Sequence, residues 1–187
     1  MNLIVLLPKF ILSGPIKGAL AICKLYSLEN HVTVIFLRGD INFNSKEYNG
    51  VKFITLKESK NYFMKILQLR KEIKQIKKTK GSNAVLLSIC FSADLSSLLT
   101  FDLINRTSSV RSNLIKNYRF TYGFWGNFLA IFHLFILRFF NRVIVMNKTM
   151  QEQVNFFSSK KATIIPNFID EYIVSKYFKK SINKLKP

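Results

Sequence analysis

The amino-acid sequence predicts one α/β domain, in which a mainly parallel β-sheet is covered by helices on both faces. Short apolar runs rich in β-branched residues alternate along the chain with longer segments of helical periodicity. Strands that alternate with helices are joined by crossovers, which place neighbouring strands parallel. The chain has 187 residues, 49% hydrophobic and 21% charged, so it can bury one core and is too apolar to be disordered.

The predicted elements follow these runs in order. Residues 2–7 (NLIVLL) are predicted as a buried strand, because Pro8 and Lys9 interrupt the apolar run and no basic start or cleavage site marks a signal peptide. A helix is predicted around residues 16–28, and an amphipathic helix with a lysine-rich outer surface runs from Tyr62 to Ile76. The other strands are predicted at residues 31–37, 51–56, 84–89, 108–112, 142–146 and 162–166.

The longest apolar stretch, residues 120–137 (FTYGFWGNFLAIFHLFIL), has three interpretations: a membrane span, a helix inside the core, or a helix at the membrane interface. A span would put the strands before and after it on opposite sides of a bilayer, where they could not share one sheet. Aromatic residues beside Arg119 and Arg142 favour a helix with one face in the core and the other in the membrane interface. The residues predicted to face the membrane are Phe124, Trp125, Phe128 and Arg138.

The charge of the chain indicates an anionic partner. The chain has 29 Lys and Arg against 10 Asp and Glu, a net charge of +19, which favours phospholipid head groups, phosphorylated carriers or nucleic acid. We do not expect nucleic acid, because the sequence has no recognition module and its aromatic residues lie in core-like runs. Cys23 and Cys90 lack the spacing of a metal site or a disulfide framework, so we expect a reduced, cytosolic protein without a metal.

Two polar segments follow predicted strands early and midway along the chain, where ligands bind in parallel sheets. Residues 13–20 (SGPIKGAL) could present a helix N-terminus to a phosphate, or could form a plain strand-to-helix turn. In residues 88–94 (SICFSAD), Ser88, Ser92 and Asp94 could hydrogen-bond a ligand, or Ser92 or Asp94 could cap the next helix.

Later in the chain, Arg111 could hold a phosphate through its planar guanidinium, or could belong to a solvated basic loop. His31 is expected in a turn, and His133 in the core or at the membrane interface, with no catalytic role for either. In residues 161–170 (KATIIPNFID), Pro166 and Asn167 end a strand, and Asp170 could cap a following helix.

In this order, five segments resemble the N-terminal domain of the family 4 glycosyltransferases, retaining enzymes with the GT-B architecture of two Rossmann-like halves. SGPIKGALAICKLYSLENHVTVIFL resembles the family's GGP-type loop, helix and GHxVxV strand, and AVLLSICFSADLSSLL resembles its strand-then-Ser stretch. SSVRSN resembles the S-x-R-N segment of the subgroup that builds polysaccharides and glycolipids. RFFNRVIVMNKTMQEQV resembles ADxIIxxSxxM, and ATIIPNFID resembles the VxVIPNxID before the family's hinge. Two departures are Ser13, where a glycine is usual, and the lack of a histidine after the fourth strand.

The resemblance implies that residues 1–170 form a Rossmann-like domain, one half of a GT-B architecture, and that residues 171–187 are a basic tail or the start of a linker. By this resemblance, the half that would bind the nucleotide-sugar donor is not expected within these residues. The chain would then be the acceptor-side domain of a retaining hexosyltransferase, incomplete alone. It would bind no cofactor itself, with a UDP- or GDP-linked sugar as co-substrate.

The resemblance also implies partners and site residues. The acceptor would be lipid-linked or a glycan, met at the cytoplasmic face of an anionic membrane, and the donor domain could be a separate protein. A non-catalytic membrane-docking or assembly subunit for such a donor-binding protein is the alternative. No catalytic residue is assigned. The implied residues are Ser13, Gly14, Pro15 and Lys17 in a donor or acceptor loop, Ser88, Arg111 and Asn113 at the acceptor, and Pro166, Asn167 and Asp170 at the hinge.

Overall fold

The computed structural model describes residues 1–11, 13–39, 48–59, 61–81 and 83–166, and these form a parallel β-sheet with helices on both faces. The fold class predicted from the sequence is therefore confirmed. The strands are β1 (Asn2–Leu7), β2 (His31–Phe36), β3 (Val51–Thr55), β4 (Ala84–Ile89), β5 (Asn105–Ser109), β6 (Arg142–Val145) and β7 (Thr163–Ile164). The helices are α1 (Gly14–Tyr26), α2 (Tyr62–Lys80), α3 (Phe91–Leu98), α4 (Leu114–Tyr122), α5 (Trp125–Ile136) and α6 (Lys148–Ser158).

The strand order β3-β2-β1-β4-β5-β6-β7 places β1 and β4 side by side at the centre of the sheet. The chain builds outward from β1 to β3, returns to the centre with β4, and then builds the other way. Helices α1 and α3 both begin at the carboxyl ends of these two central strands. A crevice forms where the strand order reverses, and ligands bind there in sheets of this type.

The core follows from the alternation of side chains along each strand. In β1, Ile4 and Leu6 pack in the apolar cluster that contains Leu69 and Ile73 of α2. Val5 and Leu7, on the other face of the same strand, pack in the cluster that contains α1. Both faces of the central strands are therefore covered, which explains why their sequences are continuously apolar.

Strand β5 begins at Asn105, three residues before the predicted start at residue 108, and ends at Ser109. Arg106 anchors this earlier start, because its guanidinium donates hydrogen bonds to the carbonyl oxygens of Leu98 and Phe139 and lies over the ring of Phe140. Arg111 consequently lies beyond the strand rather than in it. The last predicted strand, residues 162–166, is also shorter than expected, since β7 contains two residues.

The apolar stretch at residues 120–137 divides into the end of α4, a break at Gly123 and the whole of α5. Gly123 has a φ of 59°, which a glycine adopts without strain. Ala130, His133 and Leu134 face the core, whereas Phe124, Trp125 and Phe128 are exposed, so the prediction of one buried and one exposed face is confirmed. Among the described residues, none of the helices combines the length and the apolar character that a bilayer span requires.

Candidate functional site

A cavity of about 130 Å³ lies at the carboxyl edge of the sheet, beside the place where the strand order reverses. A larger depression of about 380 Å³ lies at the end of α1, on the opposite edge, and is wide open and mainly apolar. We place the site at the smaller cavity because parallel sheets bind ligands at their carboxyl ends. The cavity is lined by Pro15, Cys90, Phe91, Ser109, Arg111 and Tyr118, among others.

Two helix N-termini meet this cavity. In the described chain, α1 and α3 have no N-cap side chain that accepts a hydrogen bond from their first turn, although Ser13 stands at the N-cap of α1. By contrast, α2, α4 and α6 are capped by Asn61, Asn113 and Asn147, each of which accepts a hydrogen bond from a backbone N–H of the first turn. The positive ends of α1 and α3 are thus left for another acceptor, and such helix ends bind anions.

Cys90 makes the turn from β4 into α3 in a strained backbone conformation. Its φ is 77° and its ψ is 155°, a combination that is otherwise almost confined to glycine. The residue as a whole keeps an exposed surface, but the protein packed around the thiol, and then the charge of Asp94, raise the pKa of Cys90 to about 11. The thiol is therefore a poor nucleophile at neutral pH, and the turn at Cys90 places the start of α3 at the cavity.

Two side chains, one from the last residue of β5 and one from the segment after it, complete the wall of the cavity. Arg111 is partly buried, and the loss of hydration lowers the pKa of its guanidinium from the usual value. The hydroxyl of Ser109 is buried and has no hydrogen-bond partner in the described chain. Buried polar groups are nearly always paired, so an unpaired hydroxyl beside a cavity suits a ligand that completes it.

A buried polar network extends from the wall of the cavity into the sheet. The carboxylate of Asp94, with 1% of the residue exposed, accepts hydrogen bonds from Ser88 Oγ (2.5 Å) and Ser108 Oγ (3.0 Å). Its Oδ2 atom also lies 2.8 Å from Nε2 of His133, which is equally buried. On the other side of the imidazole, Nδ1 lies 3.0 Å from the hydroxyl of Tyr118. The network thus runs from the sheet interior to a residue of the cavity wall.

Tyr118 is the outer member of this network. Burial, and then the nearby charge of Asp94, raise the pKa of the Tyr118 hydroxyl above its ordinary value, so it stays a phenol at neutral pH. The ring of Phe91 packs edge-on against both His133 (5.0 Å between ring centroids) and Tyr118 (6.4 Å). These contacts fix the two rings relative to the start of α3.

The structure brings only some of the predicted site residues to the cavity. Pro15 and Arg111 line it, and Asp94 lies in its wall without capping α3. Ser88 is fully buried and supports Asp94 from behind, while Asn113 caps α4 and accepts a hydrogen bond from Gln153. The other predicted residues lie away from the cavity lining or outside the described residues: Ser13, Gly14, Lys17, Arg138 and Pro166 are exposed, Ser92 is half-buried, and Asn167 and Asp170 lie outside the described residues.

Ser109, Tyr118 and His133 were not predicted as site residues. Tyr118 and His133 are separated by fifteen residues and lie on two helices that turn back on each other at Gly123. His133 was predicted in the core or at the membrane interface, and the structure buries it in the core. Its hydrogen bond to an acid 39 residues earlier could only be found in three dimensions.

No protein-family model matches the sequence, and no curated protein is similar to it. Solved structures are similar in fold. The apo form of the lipopolysaccharide outer core galactosyltransferase WaaB has a TM-score of 0.63 at 9% identity, over 90% of this chain and 46% of WaaB. HepE from Anabaena, in complex with UDP and glucose, has a TM-score of 0.61 at 14% identity, over 96% of this chain and 50% of HepE.

This chain has the fold of one half of a GT-B glycosyltransferase. It spans about half the length of each of these structures. A putative UDP-N-acetylglucosamine 2-epimerase from Listeria monocytogenes is also similar, with a TM-score of 0.51 at 11% identity over 87% of this chain and 44% of the epimerase. The fold of a GT-B half is therefore shared by different reactions, and the function must be argued from the site.

Proposed function

We propose that this GT-B half is the acceptor-side domain of a retaining glycosyltransferase. It would help to move a sugar from a UDP- or GDP-linked donor to a lipid-linked or polysaccharide acceptor. The observation that carries the proposal is the cavity at the reversal of the strand order, where the N-termini of α1 and α3 meet Arg111. All three favour a phosphate, which is the group that joins a sugar to a lipid carrier.

Each part of the cavity can contribute to binding a phosphate. The exposed loop of Ser13, Gly14 and Lys17 offers an uncapped first turn, and a Cβ atom added at Gly14 would meet open space. Arg111 supplies a guanidinium that can bind two phosphate oxygens side by side. Ser109 supplies a buried hydroxyl that can donate once more. We assign the acceptor phosphate to these groups, with Asn113 fixing the start of α4 beside them.

The donor sugar nucleotide would be held by a second domain, in a longer form of this chain or in a separate protein. The cleft would close on a hinge at Pro166, Asn167 and Asp170, of which only Pro166 lies within the described residues. Such enzymes stabilise charge on the reacting sugar mainly by positioned groups. The acceptor half would contribute the position of the attacking hydroxyl.

Binding of farnesyl diphosphate, a soluble polyprenyl diphosphate, tests the acceptor site. We expect Arg111→Gln to weaken binding by about tenfold or more, since a hydrogen bond to a charged group is worth about 1.5–3 kcal/mol. Arg142→Gln is the matched control, because Arg142 is exposed at the opposite edge of the sheet, where β6 begins. Equal affinity of the two variants would contradict the assignment of the phosphate.

Transfer of labelled sugar from UDP- and GDP-linked donors to membrane lipids, with and without the product of the adjacent gene, tests the reaction. Transfer that needs both proteins supports the proposal, and full turnover by this chain alone would contradict the proposed need for a second domain. A stable complex with a donor-binding protein in which Arg111→Gln leaves transfer unchanged would favour the non-catalytic assembly subunit instead.

The hairpin of α4 and α5 is proposed as the surface that contacts an anionic membrane at the cytoplasmic face. Phe120, Phe124 and Trp125 expose 93%, 71% and 72% of their surface, an unusual amount for aromatic residues. Arg138 lies over the rings of Phe135 (5.1 Å) and Phe139 (5.9 Å), which keeps its charge beside the apolar surface. Aromatic rings flanked by cations suit the headgroup region of an anionic bilayer.

Trp125 reports on this surface directly, because the chain has one tryptophan. We expect its emission to shift to shorter wavelength with phosphatidylglycerol vesicles and not with phosphatidylcholine vesicles. Phe128→Ser should weaken vesicle binding, because it removes an exposed ring that packs on Phe124 and Trp125. Phe156→Ser, which removes a more exposed ring on α6, is the control and should bind as the unmodified chain does. Equal losses from both substitutions would exclude this hairpin as the docking surface.

A further inference from the structure

We infer that Tyr118 accepts a hydrogen bond from a hydroxyl group of the ligand in the cavity, and that Asp94 and His133 hold Tyr118 in this role. Asp94 and His133 are positioning residues, since they act through Tyr118. The inference deepens the proposed function, on which it rests for one point, that the ligand carries a sugar. The direction of each hydrogen bond in the buried network leads to it.

The first step concerns the inner end of the network. An ionised carboxylate has only acceptor sites, and the carboxylate of Asp94 faces Ser88, Ser108 and His133. Its three neighbours must therefore donate to it, and Nε2 of His133 carries a proton. We take the imidazole of His133 to be neutral, so that with its proton on Nε2 the Nδ1 atom carries none and can only accept.

The second step concerns the outer end. Because Nδ1 of His133 accepts, the hydroxyl of Tyr118 must donate its one proton across the 3.0 Å between them. The oxygen of Tyr118 is then left with lone pairs and no proton to offer the cavity. A phosphate oxygen, which is itself an acceptor, would be repelled there, whereas a ligand hydroxyl would be bound.

The two sides of the cavity therefore differ in chemistry. Arg111, Ser109 and the two helix N-termini offer donors, and Tyr118 offers an acceptor. A ligand that satisfies both sides carries an anionic group and a hydroxyl, as a sugar phosphate does. The alternative is that the network only fills the core, with its outer end closed to any ligand.

Two features keep Tyr118 in place for this role. The ring of Phe91 packs against both Tyr118 and His133, which fixes the outer pair relative to the start of α3. Helices α4 and α5 also approach so closely that a Cβ atom added at Gly126 would overlap with the carbonyl oxygen of Tyr118. The backbone that carries Tyr118 is thus set directly against the helix that carries His133.

Nitrogen NMR of the chain labelled with ¹⁵N-histidine tests the hydrogen-bond directions. The sequence has two histidines, and the exposed His31 serves as an internal reference. We expect His133 to have its proton on Nε2, with an Nδ1 resonance displaced by a donor. Tyr118→Phe should move the Nδ1 resonance to that of an imidazole nitrogen without a donor, while His31 stays unchanged. A proton on Nδ1 of His133 in the unmodified chain would overturn the inference.

Titration with glucose 1-phosphate and with inorganic phosphate tests the ligand. We expect only glucose 1-phosphate to move the Nδ1 resonance of His133, and Tyr118→Phe to weaken its binding by about three- to tenfold. Binding of inorganic phosphate should not depend on Tyr118. Equal affinity of Tyr118→Phe and the unmodified chain for glucose 1-phosphate, or no binding of this compound at millimolar concentration, would overturn the inference.

The two proposals fail in different ways. If phosphate binds through Arg111 but Tyr118→Phe does not change the affinity for glucose 1-phosphate, the proposed hydroxyl site at Tyr118 is wrong and the proposed phosphate site stands. If Tyr118 contributes to the binding of glucose 1-phosphate but no donor partner gives sugar transfer, the proposed reaction is wrong and the hydroxyl site stands.

Discussion

The two sides of the sheet are built from different kinds of side chain. On the side of β1 to β3, helices α1 and α2 bury only apolar residues and a cysteine, as in the row of Ile66, Leu69, Ile73 and Ile76. On the side of β4 to β6, the short helix α3 buries Ala93, Asp94, Ser96 and Ser97 instead. Among the buried polar residues of the described chain, just Asn2 and Thr33 precede Ser88.

This difference indicates that the side of β1 to β3 serves mainly as a structural scaffold, whereas the side of β4 to β6 forms the candidate site. Apolar packing is non-directional and tolerates exchanges of similar volume. A buried polar network is directional, because each donor needs a particular acceptor, and losing one leaves the others unsatisfied. We therefore expect the side of β1 to β3 to set the stability of the domain. On the side of β4 to β6, we expect the buried polar groups to lower the stability of the domain somewhat and to fix the geometry of the cavity.

The largest effect should come from removing the centre of the polar network. Asp94→Ala leaves the hydroxyls of Ser88 and Ser108 and the imidazole of His133 buried without their shared acceptor. We expect a loss of about 3–5 kcal/mol in the free energy of unfolding, measured by urea denaturation followed by circular dichroism. Asp94→Asn, which keeps the volume and one acceptor oxygen, should lose less.

Leu69→Ala is the reference on the other side of the sheet. Leu69 is fully buried in α2, and its truncation should cost about 2–5 kcal/mol through the lost contacts and the cavity that remains. The two substitutions should differ at the site: Asp94→Ala should abolish the Nδ1 signal that reports on Tyr118, and Leu69→Ala should preserve it. If Asp94→Asn matched the unmodified chain in stability and in this signal, the network would not be the directional element described above.

The side of β1 to β3 was largely predictable from the sequence. Its strands are continuous apolar runs, and the apolar residues of α2 recur at helical spacing, so pattern alone located β1, β2, β3 and α2 within a few residues. Strand β5 was misplaced because it begins with Asn105 and Arg106, which no strand pattern favours. Arg106 is tolerated there because its guanidinium bonds two carbonyl groups that are distant in sequence.

The site was predictable only in part. The segment that follows β4 and the basic residue after β5 were found, because polar residues after a strand mark the carboxyl edge of a sheet. The inward orientation of the Asp94 side chain was not predicted, since the side chain of a residue in the first turn of a helix can either cap the helix or turn inward to the core. The partnership of Asp94, His133 and Tyr118 joins α3, α5 and α4, and no local pattern encodes a contact between three helices.

Gly126 and Gly18, which both lie inside helices, offer a smaller and sharper comparison of the same two sides. At Gly126 of α5, an added Cβ atom would overlap with the backbone of Tyr118, whereas at Gly18 of α1 it would meet nothing within 4 Å. We expect Gly126→Ala to cost about 1–3 kcal/mol, because α4 must move away from α5, and to weaken the hydrogen bond between Tyr118 and His133.

Gly18→Ala should have the smallest effect and the opposite sign. An alanine at an open helical position restricts the unfolded chain and improves helix propensity, so we expect a gain of about 0.5–1 kcal/mol in the free energy of unfolding. Thermal denaturation of both variants, with the ¹⁵N signal of His133 as the second readout, checks the pair. A stabilising Gly126→Ala would mean that α4 and α5 can separate at no cost. Tyr118 would then be held by its hydrogen bond to His133 rather than by the crossing of the two helices, and Tyr118→Phe would release the ring from the cavity wall.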